Sequence, residues 1–427
     1  MKSIGSWIKG DRVIWIVYFF LCAISLIEVY SAASTLTYRS GNFWAPLLKQ
    51  AAFLGGGTIL VVFIHLLPCR MFKIIPIFFI PFFFVVLLFT MFFGQTENNA
   101  SRWIDVGFFQ FQPSEFAKFT VVIAVAQILS MFQREEGADK RAFKWILTVT
   151  VPFFLLILPE NFSTATLLLG VVVIMMFLGR VPLIQLGKLF GTLALTLLIA
   201  IASIKYLSSV TDIGKIPLMH RVETWSNRID RFLDNKNKID YECPELYNIE
   251  ENAQEAHAHI AVCSGKLIGR MPGNSVERDF LSQAFSDFIY AIIIEEMGLI
   301  GGFLVMMLYI ILLVRAGRIA SMCERNFPAF LIMGLSLMMV VQAMFNMAVA
   351  VGLFPVTGQP LPLISRGGSS LLMYSICIGM ILSVSRYARR SKNPPVTYLG
   401  AATSDIIYEA DTRAHDYKPT STEEPQD

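Results

Sequence analysis

The sequence predicts an all-α polytopic membrane protein with ten transmembrane helices and one long extracytoplasmic loop between helices seven and eight. Three observations carry that expectation. The first is composition: of 427 residues, 55% are hydrophobic and 16% charged, with a mean hydropathy of +0.59. A soluble domain carries about 25% charged residues. The second is distribution. The 35 basic and 32 acidic side chains gather in short patches, one long loop and a tail. They leave apolar stretches of about 20 residues, the length of a spanning helix. The third is a one-sided placement of the basic residues, set out below. Together these exclude a soluble globular enzyme, a disordered chain and a nucleic-acid binder. The net charge of +3 says little until the charges are assigned to a side of the membrane.

The apolar runs fall at roughly 14–34, 44–66, 72–93, 113–132, 145–158, 161–179, 184–207, 285–314, 328–352 and 363–385. The stretch 145–179 would fit one very long helix or two. Pro159-Glu160-Asn161 lies at its middle, and Pro breaks helices while Glu and Asn are costly in lipid. A tight hairpin there gives ten spans. With the N-terminus inside, eighteen Lys and Arg lie in cytoplasmic segments, against Arg39, Lys49 and Arg102 in the short outer loops. That bias obeys the positive-inside rule. Nine spans would put the basic clusters after 314 and 385 outside and break the rule. Ten spans place both termini in the cytoplasm. The first run lacks a convincing cleavage site and reads as an anchor. Residues 1–392 form the membrane domain, with 208–284 as the large extracytoplasmic loop. Residues 393–427, rich in Pro, Thr, Asp and Glu, read as a disordered cytoplasmic tail. Cys243 and Cys263 share the outer loop, which leaves a disulfide open.

Polar residues inside spans must face a partner or a wet cavity, so they are the informative ones. Phe111-Gln112-Pro113-Ser114-Glu115-Phe116-Ala117-Lys118 opens the fourth run, with Pro113 suited to a first helical turn. Glu115 and Lys118 share a helix face. They form either a self-neutralising pair that joins helices or the polar wall of a cavity for an anionic, sugar-bearing substrate. Arg102 and Trp103 sit at the outer interface, where Trp is common as an anchor. Asp287 lies at the outer mouth of the eighth span. Partial desolvation suits it to a general base on a sugar hydroxyl, and its position equally suits a carboxylate complementing the helix dipole. Glu295 and Glu296 fall deeper, and they could be structural. Asn346 precedes a Pro- and Gly-rich stretch, Gly352 to Ser370, that contains Ser365, Arg366, Gly367, Gly368 and Ser369. Broken backbone at membrane depth survives only where it is buried or lines a cavity. Gly367-Gly368 would also allow close helix packing. Arg221 and Arg228 are seven apart, on one face if helical, as in an interfacial amphipathic segment. Gly55-Gly56-Gly57 has no preceding strand and is not a dinucleotide loop. His257 and His259 lack the spacing and companions of a zinc set.

These constellations together resemble the SEDS family (shape, elongation, division and sporulation; FtsW/RodA/SpoVE). The matching pieces are Arg102-Trp103, Phe111 to Lys118, Gly273-Asn274-Ser275, Asp287-Phe288-Ile289 with Glu295-Glu296-Met297-Gly298, and Pro355-Val356-Thr357-Gly358 through Ser370. The resemblance covers roughly 10–390. Two pieces depart from the family pattern. Asn161 stands where the family's Gln-Pro-Asp-Leu-Gly-Thr motif has its acid, and Leu281-Ser282-Gln283 replaces a Leu-Pro-Glu. Both put loop conformation in question. Thr357 to Gly368 looks more like the division branch than the elongation branch.

The resemblance implies a peptidoglycan glycosyltransferase that joins lipid II units into glycan strands on the outer membrane face, at the division septum, releasing undecaprenyl pyrophosphate. The implied catalytic residue is Asp287. The implied substrate-binding residues are Arg102, Trp103, Gln112, Ser114, Glu115, Lys118, Arg221, Arg228, Ser365, Arg366, Gly367, Gly368 and Ser369, with the cations facing the pyrophosphate. A divalent cation, Mg or Mn, is expected to assist the leaving group, with no ligand set visible and no organic cofactor. The implied partners are lipid II, undecaprenyl-linked glycan, a class B penicillin-binding protein transpeptidase and other division proteins. A lipid II flippase, an elongation-type polymerase and a non-catalytic scaffold are the alternatives.

Overall fold

The computed structural model describes residues 10–32, 44–93, 95–97, 100–105, 110–135, 137–195, 253–281 and 284–392. Its elements in chain order are α1 (Arg12–Ala32), α2 (Ala45–Leu66), a short 3-10 turn (Cys69–Lys73), α3 (Ile75–Phe93), β1 (Gln95–Glu97), β2 (Ala100–Asp105), β3 (Gln110–Phe111) and α4 (Pro113–Met131). There follow β4 (Gln133–Arg134), β5 (Gly137–Ala138), α5 (Lys140–Ile157), α6 (Phe162–Leu178) and α7 (Leu183–Leu195). The last four are α8 (Ala253–Gly265), α9 (Ile289–Ala320), α10 (Asn326–Ala350) and α11 (Gly368–Lys392).

Over its described residues, each of the ten apolar runs contains a helix. Among the described residues, seven of these helices are long and apolar enough to cross a membrane: α1, α2, α3 with its preceding turn, α4, α9, α10 and α11. The protein is therefore a multi-pass membrane protein. α6 and α7 are shorter apolar helices, and α5 carries Lys140, Arg141 and Lys144 in its first turns. The ten-span topology thus remains a proposal. The break inside 145–179 falls where the sequence places it. α5 ends at Ile157, and Asn161 caps α6 by accepting the N–H of Thr164 at 3.1 Å. Two runs start later than their apolarity suggests. α9 begins at Ile289, and α11 begins at Gly368 because Pro355, Pro360 and Pro362 keep 352–367 out of helix. Two small antiparallel sheets, β1-β2-β3 and β4-β5, add strand that the all-α expectation omits.

The buried core runs through α4, α9, α10 and α11, whose inward faces are apolar. α2 lies along α11, α10 lies between α9 and α4, and α8 lies against α9. α9 is broken within its length at Gly298, whose φ of 72° and ψ of −176° are open to glycine. The break frees backbone groups inside a helix, and residues 266–271 satisfy them. Arg270 and Met271 donate N–H to the carbonyls of Glu295 and Glu296 at 2.9 and 2.8 Å, and Leu299 N–H reaches Lys266 O at 3.0 Å. A Cβ on Gly298 would stand 2.3 Å from Leu267 O. Part of the expected outer loop is therefore welded into the bundle. Arg221, Arg228, Cys243 and the 393–427 tail lie outside the described residues.

Candidate active site

Asp287 occupies the turn before α9, whose N-cap position is Phe288. Its side chain is half-buried, and Ser286 Oγ donates to its Oδ1 at 3.0 Å. The backbone that carries it is clamped three times in a row by the last turns of α10 and the α10–α11 connection. Arg366 N–H donates to Phe285 O at 2.9 Å, Ser365 Oγ to Ser286 O at 2.6 Å, and Asn346 Nδ2 to Asp287 O at 2.8 Å. Three consecutive carbonyls are thus fixed by groups from one facing segment. A buried carbonyl left without a donor is costly, so the clamp fixes the register of the turn.

The clamping segment is itself held from behind. Asn346 donates its second N–H to Gln359 O at 2.7 Å, and Gln359 donates to Thr164 Oγ at 2.8 Å and Asn161 Oδ1 at 3.3 Å. Ser365 Oγ accepts the N–H of Leu361 at 2.7 Å, while Ser25 donates to Ile364 O at 2.8 Å. Gly358 has φ of 66°, and a Cβ there would come 3.3 Å from Asp287 Oδ2, so it forms a floor under the carboxylate. Asn161 Oδ1 accepts both of its bonds through one oxygen, from Thr164 N–H and Gln359 Nε2, a role that an aspartate oxygen could also fill. Arg366 stacks its guanidinium over Phe285 with the centre 5.2 Å from the ring. Burial lowers its pKa from the ordinary value, and the group stays charged near neutral pH.

Glu115 and Lys118 lie deeper, at 1% and 0% side-chain exposure. Lys118 Nζ meets Glu115 Oε1 at 2.6 Å and Gln342 Oε1 at 2.5 Å. Gln342 donates to Tyr374 Oη at 2.5 Å, and Tyr374 donates to Glu115 Oε2 at 3.0 Å, which closes a ring between α4, α10 and α11. Gln342 also donates to Pro360 O at 3.1 Å. The ring therefore reaches the Asp287 clamp through the loop and not through direct contact. Of the two readings that the spacing leaves open, this geometry favours the helix-joining pair.

The remaining expected residues are placed as follows. Gln112 and Ser114 are buried at the start of α4. A Cβ on Gly368 would meet the Phe53 ring at 2.8 Å and one on Gly367 would meet Ser370 Oγ at 2.3 Å, so both glycines serve close packing. Ser369 is buried beside them. Arg102 and Trp103 lie in β2, and their side chains are outside the described residues. Glu295 and Glu296 anchor the welded loop. Glu295 accepts from Val276 N–H at 3.0 Å, Ser275 Oγ at 2.5 Å and Arg270 at 3.3 Å, and Glu296 accepts from Ser31 Oγ. Asn346 and Gln359, named in the sequence only as part of the stretch from Asn346 to Ser370, and Gln342, not singled out there, are positioning residues absent from the expected substrate-binding set. The sequence signal for them is amides in or beside apolar runs. Among the described residues, no group of three or more His, Cys, Asp or Glu could hold a metal.

The sequence model of the FtsW/RodA/SpoVE family, described as "Cell cycle protein", matches residues 11–390. The chain belongs to this family. It is 31% identical over 386 residues to stage V sporulation protein E of Bacillus subtilis (strain 168), covering 89% of this chain and 98% of that protein. It is 30% identical over 393 residues to the probable peptidoglycan glycosyltransferase FtsW of Coxiella burnetii (strain RSA 493 / Nine Mile phase I), covering 90% and 98%. A chain from a solved peptidoglycan synthase complex, one described as coordinating polymerization and crosslinking, superposes with TM-score 0.68 at 25% identity, covering 90% of this chain and 99% of that one. The rod shape determining protein RodA of Thermus thermophilus shares the fold, with TM-score 0.59 at 22% identity and 89% and 98% coverage.

Proposed function

We propose that this protein is a peptidoglycan glycosyltransferase that polymerises lipid II at the outer face of the cytoplasmic membrane during cell division. The observation that carries the reading is the clamped, half-buried carboxylate of Asp287 at a helix mouth. Family membership and the names of the relatives support the reaction class. The similarity of Thr357 to Gly368 to the division branch supports the cellular role.

Glycosyl transfer from a lipid pyrophosphate needs a base at the acceptor hydroxyl and cations at the leaving group. Asp287 takes the proton of the acceptor hydroxyl as its oxygen attacks the donor's anomeric carbon. The bond from that carbon to the pyrophosphate oxygen breaks on the opposite face, so the centre inverts. Undecaprenyl pyrophosphate departs with the bonding electrons. Arg366, carried on the same clamp, is the cation that meets the charge on the departing pyrophosphate. Ser365, Asn346 and Gln359 hold the base and do not touch substrate. Glu115 and Lys118 act as positioning residues. Among the described residues no group of three or more His, Cys, Asp or Glu stands ready for a divalent cation, and no step is routed through one.

A class B penicillin-binding protein is the proposed partner, in keeping with the pairing of polymerization and crosslinking in the similar synthase complex. The flippase alternative leans on Glu115 and Lys118 as the wall of a wet cavity, and both are bonded within the protein. Purified protein with its partner and lipid II in detergent tests the reading, because polymerisation needs no second compartment. Glycan strands are the expected product. Lipid II left unpolymerised in detergent, together with its transfer between leaflets of a vesicle, would overturn the proposal.

A further inference from the structure

At the end of the bundle opposite Asp287, a cavity of about 440 Å³ opens between the 3-10 turn after α2, the start of α10 and the end of α11. Four cations line it, Arg70, Lys73, Arg325 and Arg386, against the single carboxylate of Glu324. Among the described residues, Arg70, Lys73, Arg325 and Glu324 enter no ion pair. Lys73 lies over the Phe327 ring at 5.2 Å, and Arg386 donates to the carbonyls of Leu66 and Leu67 at 2.6 and 3.2 Å. Those bonds fix the guanidinium at the wall. Asn326 begins the 25-residue helix α10, and no side chain caps its first N–H groups. An uncapped helix start beside several cations is an anion site.

The apolar side chains next to the lining residues in sequence separate one class of anion from the others. Leu66, Leu67, Met71 and Ile74, all on or beside the turn that supplies Arg70 and Lys73, are exposed by 43%, 36%, 47% and 49%. In a bilayer that apolar stretch faces acyl chains, which puts the cavity within reach of lipid headgroups. An amphiphile with a phosphate head would cover that stretch with its chains while the head entered the cavity. We infer that this cavity binds the phosphate headgroup of an anionic bilayer lipid, with the acyl chains lying over Leu66, Leu67, Met71 and Ile74. Such binding is independent of the proposed activity. The basic-residue bias assigns this end of the bundle to the cytoplasmic leaflet, but binding in detergent does not depend on that orientation.

Native mass spectrometry of the full chain in non-ionic detergent tests it, with phosphatidylglycerol and phosphatidylcholine of identical chains as probes. Wild type is expected to retain phosphatidylglycerol preferentially. Each neutralised cation is expected to weaken that binding about fivefold. Arg70→Gln/Lys73→Gln should therefore lose about 25-fold, and Arg70→Gln alone about fivefold. Arg318→Gln, at the same end but outside the cavity, should lose nothing. Equal retention of the two lipids by wild type would overturn the inference, as would an unchanged Arg70→Gln. Displacement of the lipid by equimolar inorganic phosphate would overturn it by assigning the site to a soluble anion. Displacement by a synthetic 393–427 peptide would overturn it in favour of the chain's own acidic tail.

Discussion

Asn346 is the joint on which the Asp287 clamp depends. Its amide donates one N–H to Asp287 O at 2.8 Å and the other to Gln359 O at 2.7 Å. Asn346→Ala removes both donors and leaves two carbonyls to find water in a site that has little room for it. An unsatisfied buried acceptor costs about 1–3 kcal/mol, so the two together cost about 2–4 kcal/mol after local relaxation. The turn before α9 is expected to absorb much of this by shifting. A displacement of about 1 Å at a reacting group lowers a rate about 100-fold. The assay is lipid II polymerisation by the purified complex, read separately as kcat and KM, with thermal unfolding of the same sample. The expected result is a kcat lower by about two orders of magnitude, with KM changed less than about threefold because Asn346 does not touch substrate. A variant with normal kcat would refute the clamp whatever its stability. So would a loss confined to KM.

Three further outcomes follow from other parts of the molecule. Lys118→Met leaves Glu115 buried without its cation, and is expected to cost about 3–5 kcal/mol in unfolding free energy. Glu115→Gln/Lys118→Met should recover most of it, and a double variant as unstable as the single one would refute the pairing. Gly298→Ala forces a Cβ against Leu267 O at φ 72°. It should destabilise by about 1–3 kcal/mol and speed proteolysis between 266 and 279, and unchanged proteolysis would contradict the welded loop. Asp11 joins α1 to α9 and α11 by accepting from Arg315 at 2.9 Å and Arg389 at 3.1 Å. Burial opposes its ionisation, but the Arg315 contacts and two backbone N–H bonds outweigh it and hold the pKa below the ordinary 3.8. Its contribution is therefore fully present above about pH 4 and is lost as pH falls through the lowered folded value. Asp11→Asn should lower stability by about 1–2 kcal/mol at pH 7, the partners being partly exposed, with the difference from wild type shrinking toward acid pH. A difference that grows toward acid would refute the assignment.

Much of this architecture is legible in the sequence because lipid punishes polar residues so heavily. Apolar runs mark the helices to within a few residues, and Pro159-Glu160-Asn161 marks a break that the Asn161 cap explains. Asp287, Glu115 and Lys118 stand out for the same reason. What local pattern does not reveal is which partner each polar residue finds. Glu115 and Lys118 share a face whether they line a cavity or join helices. Gln342 and Tyr374, 224 and 259 residues further on, supply the bonds that favour the second reading. The weld at Gly298 is equally non-local, since its hydrogen-bond partners come from 266–271. Arg366 reads from sequence as a cation among glycines. Its backbone N–H, which sequence cannot assign, proves to be part of the clamp.

The role of Asp287 is tested most directly by the rate of lipid II polymerisation by Asp287→Asn in complex with its partner, alongside lipid II binding by the same sample. Asparagine keeps the size of the side chain and its neighbours while removing the base. Binding is expected to stay within a fewfold of wild type, while polymerisation falls by about 100-fold or more. Glycan strands formed at a near-normal rate would show that Asp287 is not the base.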